Sequence, residues 1–314
     1  MALTLTEAAK VARNEGKEIQ AGVIEMFARA SDLLAAFPFK DIQGNAYQYT
    51  REGQLSGVAF RNVNGVYTPS TGVVNPQVEA LRICGGELDV DTFIVKTQGV
   101  QARAVQEQMK VKALAAEITR VMIKGDSTIV SAEFDGLQTR LPIGVSQAFS
   151  NGSTSGGDPL SLLKLDEAID SLTNGGQKVL VMNKTMRRRL TVAARTASVA
   201  GNIDYVLDQF GQQVARYNGI PILTPYSDNG GTDPIAFDEA GTGGGSTATS
   251  IYGLVLGDGL VQGIQSGGMD VRDLGELHTA PLFRTRVEWF AGMAIEHGRA
   301  AFRLHSISNA AVTA

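Results

Sequence analysis

The three histidines are the side chains with the widest chemical repertoire in this 314-residue chain. His278, His297 and His305 could act as general bases or as metal ligands. A transition-metal site needs several imidazole, thiolate or carboxylate ligands at short, regular spacing. No acidic or cysteine cluster stands at ligand spacing around the three histidines. We therefore expect them to be structural, and the sequence predicts no metal site.

Serine nucleophiles and carboxylate pairs are the next candidates for chemistry. Ser146, Ser150 and Ser153 lack the Gly-x-Ser-x-Gly elbow and the placed histidine of a serine hydrolase, which favours ordinary loop serines. Asp89 and Asp91 could form a carboxylate pair, but alternate positions on a strand are typical of one solvated face. We predict no catalytic residue among them.

Two further motifs could bind phosphates. Residues 257–263 have the spacing Gly-x-Gly-x-x-x-Gly after a predicted strand, which differs from the dinucleotide-binding loop, and no helix clearly follows. A turn between strands is the better interpretation. The arginines at 187–189 spread around a predicted helix, so we expect solvation or a subunit contact. The sequence thus predicts neither an enzyme nor a cofactor-binding protein.

The composition excludes several functional classes. The net charge is −4, from 28 basic and 32 acidic residues, so we expect contact with DNA to be weak and unspecific. The single cysteine, Cys84, cannot form an internal disulfide, which fits a reducing cytoplasm. We find no signal peptide and no apolar run long enough for a membrane span.

The first third of the chain predicts a helical arm and a β-hairpin. Thr4 and Glu7 fit a capping box for a helix to about Glu15, and a second helix follows over 18–36 until Pro38. Two β-favouring runs, 46–51 and 58–63, predict a hairpin. A two-stranded ribbon is marginal alone in water, so it must lie on its own domain or on a neighbouring subunit.

The remainder predicts a mixed α+β body. A strand over 87–95 precedes a helix over 100–124, which would be about 37 Å long and is ended by Gly125 and Asp126. Its Val105, Met109 and Met122 are expected to pack against the sheet as part of the core. Residues 241–250 are expected to form a flexible surface loop. The other predicted elements are a helix over 160–172, a strand over 178–182, a helix over 184–197 capped by Asn183, a hairpin over 214–224 through Asn218 and Gly219, and strands over 250–256, 285–296 and 300–307.

This order of elements resembles the Hong Kong 97-type major capsid proteins of tailed double-stranded DNA bacteriophages. The resemblance covers essentially the whole chain. It is carried by the order of four segments, none of which is a chemical fingerprint: 44–53 (GNAYQYTREG), 58–63 (VAFRNV), 86–97 (GELDVDTFIVKT) and 134–137 (FDGL).

The resemblance implies four parts. They are an N-terminal arm (1–37), an extended loop (38–76), a peripheral domain with a long spine helix (77–159 and 279–314) and an axial domain (160–278). In that family, axial domains gather around five-fold and six-fold axes, and each extended loop lies across the adjacent subunit. The expected fold class is therefore α+β, of the Hong Kong 97 type.

The implied function is a major capsid protein that builds an icosahedral shell of hexamers and pentamers around the phage genome. The expected location is the virion, assembled in the bacterial cytoplasm. The expected partners are other copies of the chain, a scaffolding protein, a portal at one vertex, a decoration or cement protein, and packaged double-stranded DNA through weak contacts, with no membrane. The chain starts almost directly with the arm, so a separate scaffolding protein or a cleaved segment is expected.

Seven residues of the extended loop are candidates for inter-subunit contacts. The apolar anchors are Tyr47, Tyr49, Phe60 and Tyr67, and the candidates for ion pairs are Arg51, Glu52 and Arg61. The type member of the family cross-links its shell through a loop lysine. Residues 41–76 contain no lysine and only Lys40 lies at the base of the loop, so no such cross-link is expected.

Two alternatives remain. An encapsulin-like compartment shell resembles the same fold but encloses cargo enzymes. An α/β enzyme could use the strand and helix around 178–197, although no catalytic constellation can be named there.

Overall fold

The computed structural model describes residues 2–195, 203–207, 213–225 and 233–313. The helices are α1 (Leu5–Asn14), α2 (Glu18–Ala30), α3 (Asp32–Ala36), α4 (Thr92–Gln98), α5 (Val100–Lys124), α6 (Leu137–Arg140), α7 (Leu162–Asp170) and α8 (Lys184–Ala193). The strands are β1 (Leu3–Thr4), β2 (Pro38–Asp41), β3 (Ala46–Gln54), β4 (Val73–Ala80), β5 (Arg82–Asp91), β6 (Ala148–Ser150), β7 (Gln177–Val181), β8 (Ile203–Leu207), β9 (Gln213–Tyr217), β10 (Ile220–Leu223), β11 (Glu239–Gly241), β12 (Gly244–Leu256), β13 (Val261–Glu276), β14 (Leu282–Ile295) and β15 (Ala301–Ile307).

A branched, mixed sheet carries the body. Its main path runs β1-β2-β13-β12-β7-β10-β9-β8 through the described residues. Three branches extend it: β14 joins β13 to β5, β15 joins β12 to β6, and β11 pairs with β12. Strands β3 and β4 form a separate hairpin. The predicted α+β class is confirmed.

The hydrophobic core lies on both faces of this sheet. Successive residues of β7 alternate between two clusters, with Val179 and Val181 in one and Leu180 in the other, because strand side chains point to opposite faces. The first cluster packs the N-terminal helices and α5 against the sheet. The second packs α7 and α8 against the opposite face.

The N-terminal segment is helical, as predicted, and Thr4 and Glu7 form the predicted capping box. The second helix is shorter than predicted, because Ser31 is extended and separates α2 from α3. The segment also packs on the body instead of protruding from it. Phe27 lies edge-on to the buried Trp289, with ring centroids 6.2 Å apart.

The long helix α5 has the predicted bounds, but its buried stripe is shorter than expected. Met122 and Val111 are buried, whereas Val105 and Met109 are more than half exposed. The expectation that Val105 and Met109 pack against the sheet is therefore wrong. In this half of the helix Arg103 faces the sheet instead, because it donates to Thr285 on β14 at 2.7 Å and its guanidinium lies 5.6 Å from the centre of the Phe283 ring.

The predicted hairpin exists, but its second strand was misplaced. β3 pairs with β4, with Ala46 opposite Ala80 and Arg51 opposite Asn75. Residues 58–63 are not a strand, because side-chain propensity alone cannot supply a partner for their backbone. The strand predicted over 87–95 is β5 instead, and it stops where Asp91 caps α4 by accepting from the Phe93 amide.

The second half follows the predicted order, with several differences. The hairpin through Asn218 and Gly219 is confirmed, with both residues at positive φ. Residues 241–250 are not a free loop, because β11 pairs with the start of β12. Strand β13 was missed, since its glycines, among them Gly267 and Gly268 at positive φ, lower its strand propensity. The helix predicted over 184–197 is shorter than expected, because α8 ends at Ala193, and positions 196–197 lie outside the described residues.

Candidate assembly surface

The loop that joins β3 to β4 is the most unusual surface of the molecule. It spans residues 55–72 and contains no regular structure. Four of its apolar side chains, Val58, Phe60, Val63 and Val66, are each at least 92% exposed. Several exposed apolar side chains on one loop are typical of an interaction site, because leaving apolar surface in water is unfavourable.

The loop also carries almost no charge. Arg61 is the only charged residue between 55 and 72, and its guanidinium lies 5.2 Å from the centre of the Tyr67 ring. Tyr67 is itself more than half exposed. A surface with one cation and a run of apolar side chains is suited to a neighbour whose receiving surface is also largely apolar.

One side of the hairpin base is fixed to the body by hydrogen bonds. The Tyr47 hydroxyl donates to Glu296 at 2.8 Å and lies 3.1 Å from the Lys40 amine. Lys40 also pairs with Asp258 at 3.1 Å, and Gln262 donates to Glu296. Burial and the bond to Glu296 raise the pKa of Tyr47, so the phenol stays protonated and can donate at neutral pH.

The same face of β3 continues along the end of β14. Tyr49 is buried, contacts Ile264 and Ala294, and stacks on Tyr47 with ring centroids 5.7 Å apart. Arg51 donates to the Ile295 carbonyl through Nε at 2.8 Å and also through Nη2. Alternate residues of β3 therefore hold the hairpin on its own subunit.

An ion pair holds the other strand of the hairpin. Arg140, on α6, donates through both Nη atoms to the two carboxylate oxygens of Glu79. It also donates to the carbonyls of Met293 at 2.9 Å and Asp135 at 2.8 Å. Although burial disfavours the charge, the bonds to Glu79 keep the pKa of Arg140 raised. Glu79 and Arg140 were not singled out from the sequence, since 61 residues separate them.

The seven predicted contact residues divide into two groups. Tyr47, Tyr49 and Arg51 contact the body of their own subunit. The other four lie on the exposed part of the hairpin and loop: Glu52, Phe60, Arg61 and Tyr67. The inter-subunit role of all seven stays a prediction.

Several of the residues that were expected to be inert have structural partners. His305 is buried beside the Ser306 hydroxyl at 2.9 Å, and burial together with Arg303 lowers its pKa. The His297 imidazole accepts from the Arg299 amide at 3.1 Å, and Asp89 pairs with Arg284 at 2.6 Å. In the described residues, no group of three or more histidine, cysteine or acidic side chains is arranged to hold a metal.

The glycine motif after β12 is a turn. Residues 257–260 form the turn between β12 and β13, as predicted for the glycine motif. No helix within the described ranges is both long and apolar enough to cross a membrane.

Comparison with solved structures identifies the fold. The holo-SrpI encapsulin complex from Synechococcus elongatus PCC 7942 is 14% identical, with a TM-score of 0.63 over 90% of this chain and 89% of that chain. The capsid of a native GTA particle is 11% identical, with a TM-score of 0.61 over 89% and 90%. A chain of Microbacterium phage Oxtober96 is 13% identical, with a TM-score of 0.61 over 88% and 90%.

No protein-family model and no curated protein sequence matches the chain. At these identities the structural likeness concerns the fold, and it extends over nearly the full length of both partners in each comparison. The chain has the Hong Kong 97-type capsid fold, as the order of its elements predicted.

Proposed function

We propose that this chain is the major capsid protein of a tailed double-stranded DNA bacteriophage. In this proposal it assembles as hexamers and pentamers into the icosahedral shell that encloses the genome. The observation that carries the proposal is the hairpin, whose apolar loop the other described parts of the subunit leave exposed. A shell subunit of this fold would bury that loop on the adjacent copy.

The symmetry of such a shell fits a projecting loop. The loop of one copy would lie on a different surface of the next, so the contact is heterologous and closes into rings. Phe60, Arg61 and Tyr67 are the proposed contact residues at the tip, and Glu52 is the proposed contact nearer the base. Tyr47, Tyr49 and Arg51 would contribute by orienting the hairpin on its own body.

The four-part division follows from the same proposal. The arm would be 1–37, the extended loop 38–76, the peripheral domain 77–159 with 279–314, and the axial domain 160–278. The boundary at 278 lies in the turn between β13 and β14, which pair with each other along most of their length.

The proposed role is structural and not enzymatic, and the proposed location is the virion after assembly in the host cytoplasm. Scaffolding, portal and decoration proteins, and weakly bound double-stranded DNA, are the proposed partners. The lysine-free segment 41–76 supports a shell held by non-covalent contacts. Denaturing mass spectrometry of mature shells should therefore give only the mass of single chains, and covalent multimers would contradict this.

An encapsulin-like compartment is the second candidate. It is favoured by the encapsulin structure, whose TM-score of 0.63 is as high as the 0.61 of the phage and GTA chains. The two candidates share the shell and differ in what it encloses.

The decisive experiment is to express the chain alone and with its neighbouring genes, then image the product by electron microscopy. Closed shells, tubes or capsomer rings are expected, whereas a stable monomer under all conditions would overturn the proposal. Nuclease-protected DNA inside the shells would favour the phage capsid. A co-purified enzyme inside them would favour the compartment.

A further inference from the structure

The direction in which the hairpin leaves the body depends on a small set of polar contacts. We call these contacts the latch. On the β4 side they comprise Glu79 and Arg140, and on the β3 side Lys40, Tyr47, Glu296 and Arg51, which donates to the Ile295 carbonyl. We infer that the latch sets the direction of the hairpin and thereby selects the curvature of the shell. This inference rests on the proposed function.

The apolar part of this attachment is small. Among the described residues, its buried cluster consists of Tyr49, Ile264 and Ala294, with Ile42, Tyr47 and Leu81 partly buried around it. Three buried side chains can hold the base of the hairpin near the body, but a contact this narrow does not fix an angle. Hydrogen bonds are directional, so the latch is the part of the attachment that fixes the angle.

Space is available for a different angle. A cleft of about 800 Å³ lies between the hairpin and the loop after β14, and its walls include Thr50, Leu55 and Arg299. Beyond Arg51, residues 52–72 are exposed. Steric contact within the subunit therefore does not prevent the hairpin from swinging into the cleft.

The two sides of the latch differ in strength. Glu79 and Arg140 form a two-point, charge-assisted pair that is largely buried, with 19% and 11% of the side chains exposed. On the β3 side, Tyr47 reaches Glu296 through a single hydrogen bond from a neutral hydroxyl, and Arg51 donates to one backbone carbonyl instead of a carboxylate. The Tyr47 side is thus the one that opens first, and the Arg140 side acts as the pivot.

The required movement is too large for side chains alone to absorb. Neighbouring subunits turn by 72° in a pentamer and by 60° in a hexamer, a difference of roughly 12°. The tip near Val63 lies at most about 40 Å from Arg51, at about 3.3 Å per residue. A 12° change at the base then moves the tip by up to roughly 8 Å, so the adjustment belongs at the pivot.

The test removes one hydroxyl group. Tyr47→Phe keeps the ring that stacks on Tyr49 but loses the bond to Glu296 and the contact with Lys40. The exposed Tyr205 on β8 offers a matched control, Tyr205→Phe. Shells of wild type and both variants are sized by cryo-electron microscopy, and their melting temperatures are measured in parallel.

We expect Tyr47→Phe to lower the share of particles in the main size class by roughly half or more, with new diameters or tubes, while Tyr205→Phe keeps the wild-type distribution. An unchanged distribution for Tyr47→Phe, even with a lower melting temperature, would reduce the latch to a purely structural role and overturn the inference.

A second measurement does not depend on assembly. Spin labels at Asn64→Cys and Asn174→Cys, in a Cys84→Ser background, report the distance from the tip to the body in unassembled subunits. Tyr47→Phe should broaden this distance distribution by roughly twofold. If it stays as narrow as in wild type, the latch does not set the direction. If wild type forms no shell at all, the proposed function fails, and the spin labels still decide whether the latch holds the hairpin.

Discussion

Phe60→Ala separates the folding of the subunit from its assembly. Phe60 is fully exposed in the isolated chain, at 105% of its reference area, so truncating it removes no internal contact. Exposed substitutions of this kind change folding stability by less than about 0.5 kcal/mol, which is about 1 °C in melting temperature for a chain of this size. The melting temperature of the unassembled variant should therefore match that of wild type.

Assembly should respond strongly to the same change. Complete burial of a phenylalanine side chain on a neighbour contributes about 1.5 to 3 kcal/mol. Each subunit supplies one loop, so each loses one such contact, and the apparent dissociation constant per contact rises by about 10-fold to 150-fold. The concentration at which shells first form should rise by a similar factor.

Light scattering and size-exclusion chromatography over a series of protein concentrations measure this threshold. Phe93→Ala is the control, because Phe93 is also exposed but lies on α4, away from the hairpin. If Phe60→Ala assembles at the wild-type threshold, the loop is not buried on a neighbour. A large fall in the melting temperature of the monomer would mean that Phe60 packs within its own subunit.

Three further predictions concern the body. Arg303 and Glu239 form a buried ion pair, with 5% and 4% of the side chains exposed. Glu239→Gln should lower the free energy of unfolding, measured in urea, by about 3 to 5 kcal/mol, because it leaves the Arg303 charge buried without its partner. Adding Arg303→Met should recover part of that loss. Gly253→Ala would place a Cβ 2.1 Å from the Phe302 ring and should cost about 1 to 3 kcal/mol, with a smaller cost in a Phe302→Leu background. The pKa of buried His305 is lowered, so the unfolded chain takes up a proton at this histidine at a higher pH than the folded chain does. The free energy of unfolding should therefore fall as the pH drops below about 6.5. His305→Gln should reduce this dependence of the unfolding free energy on pH.

Local signals in the sequence were sufficient to place several helix ends. Two helices start where the sequence predicted, because Thr4 caps α1 and Asn183 caps α8, and α5 ends at the predicted Gly125. These boundaries are predictable because a cap acts within one turn of the helix. The turn at Asn218 and Gly219 was equally local, since both residues adopt positive φ. The order of these elements was enough to predict the Hong Kong 97-type fold.

Strand pairing was harder to predict, because it depends on residues far apart in the chain. Residues 58–63 have strand propensity but no partner, while β4 includes Pro76 and was not predicted as the second strand. The glycine-rich β13 has weak propensity and is held between β14 and β2 by tertiary contacts. In both cases, whether the segment formed a strand depended on whether another strand was available to pair with it.

The candidate assembly surface combines features that residue types alone predict with contacts that only the folded chain creates. The sequence by itself determined that residues 55–72 form an apolar segment with one charge, since that follows from residue types alone. Only the tertiary structure placed Tyr47, Tyr49 and Arg51 against β14 and brought Arg140 to Glu79 across 61 residues. Hydrogen bonds and ion pairs act over a few ångströms, so their partners exist only after the chain has folded.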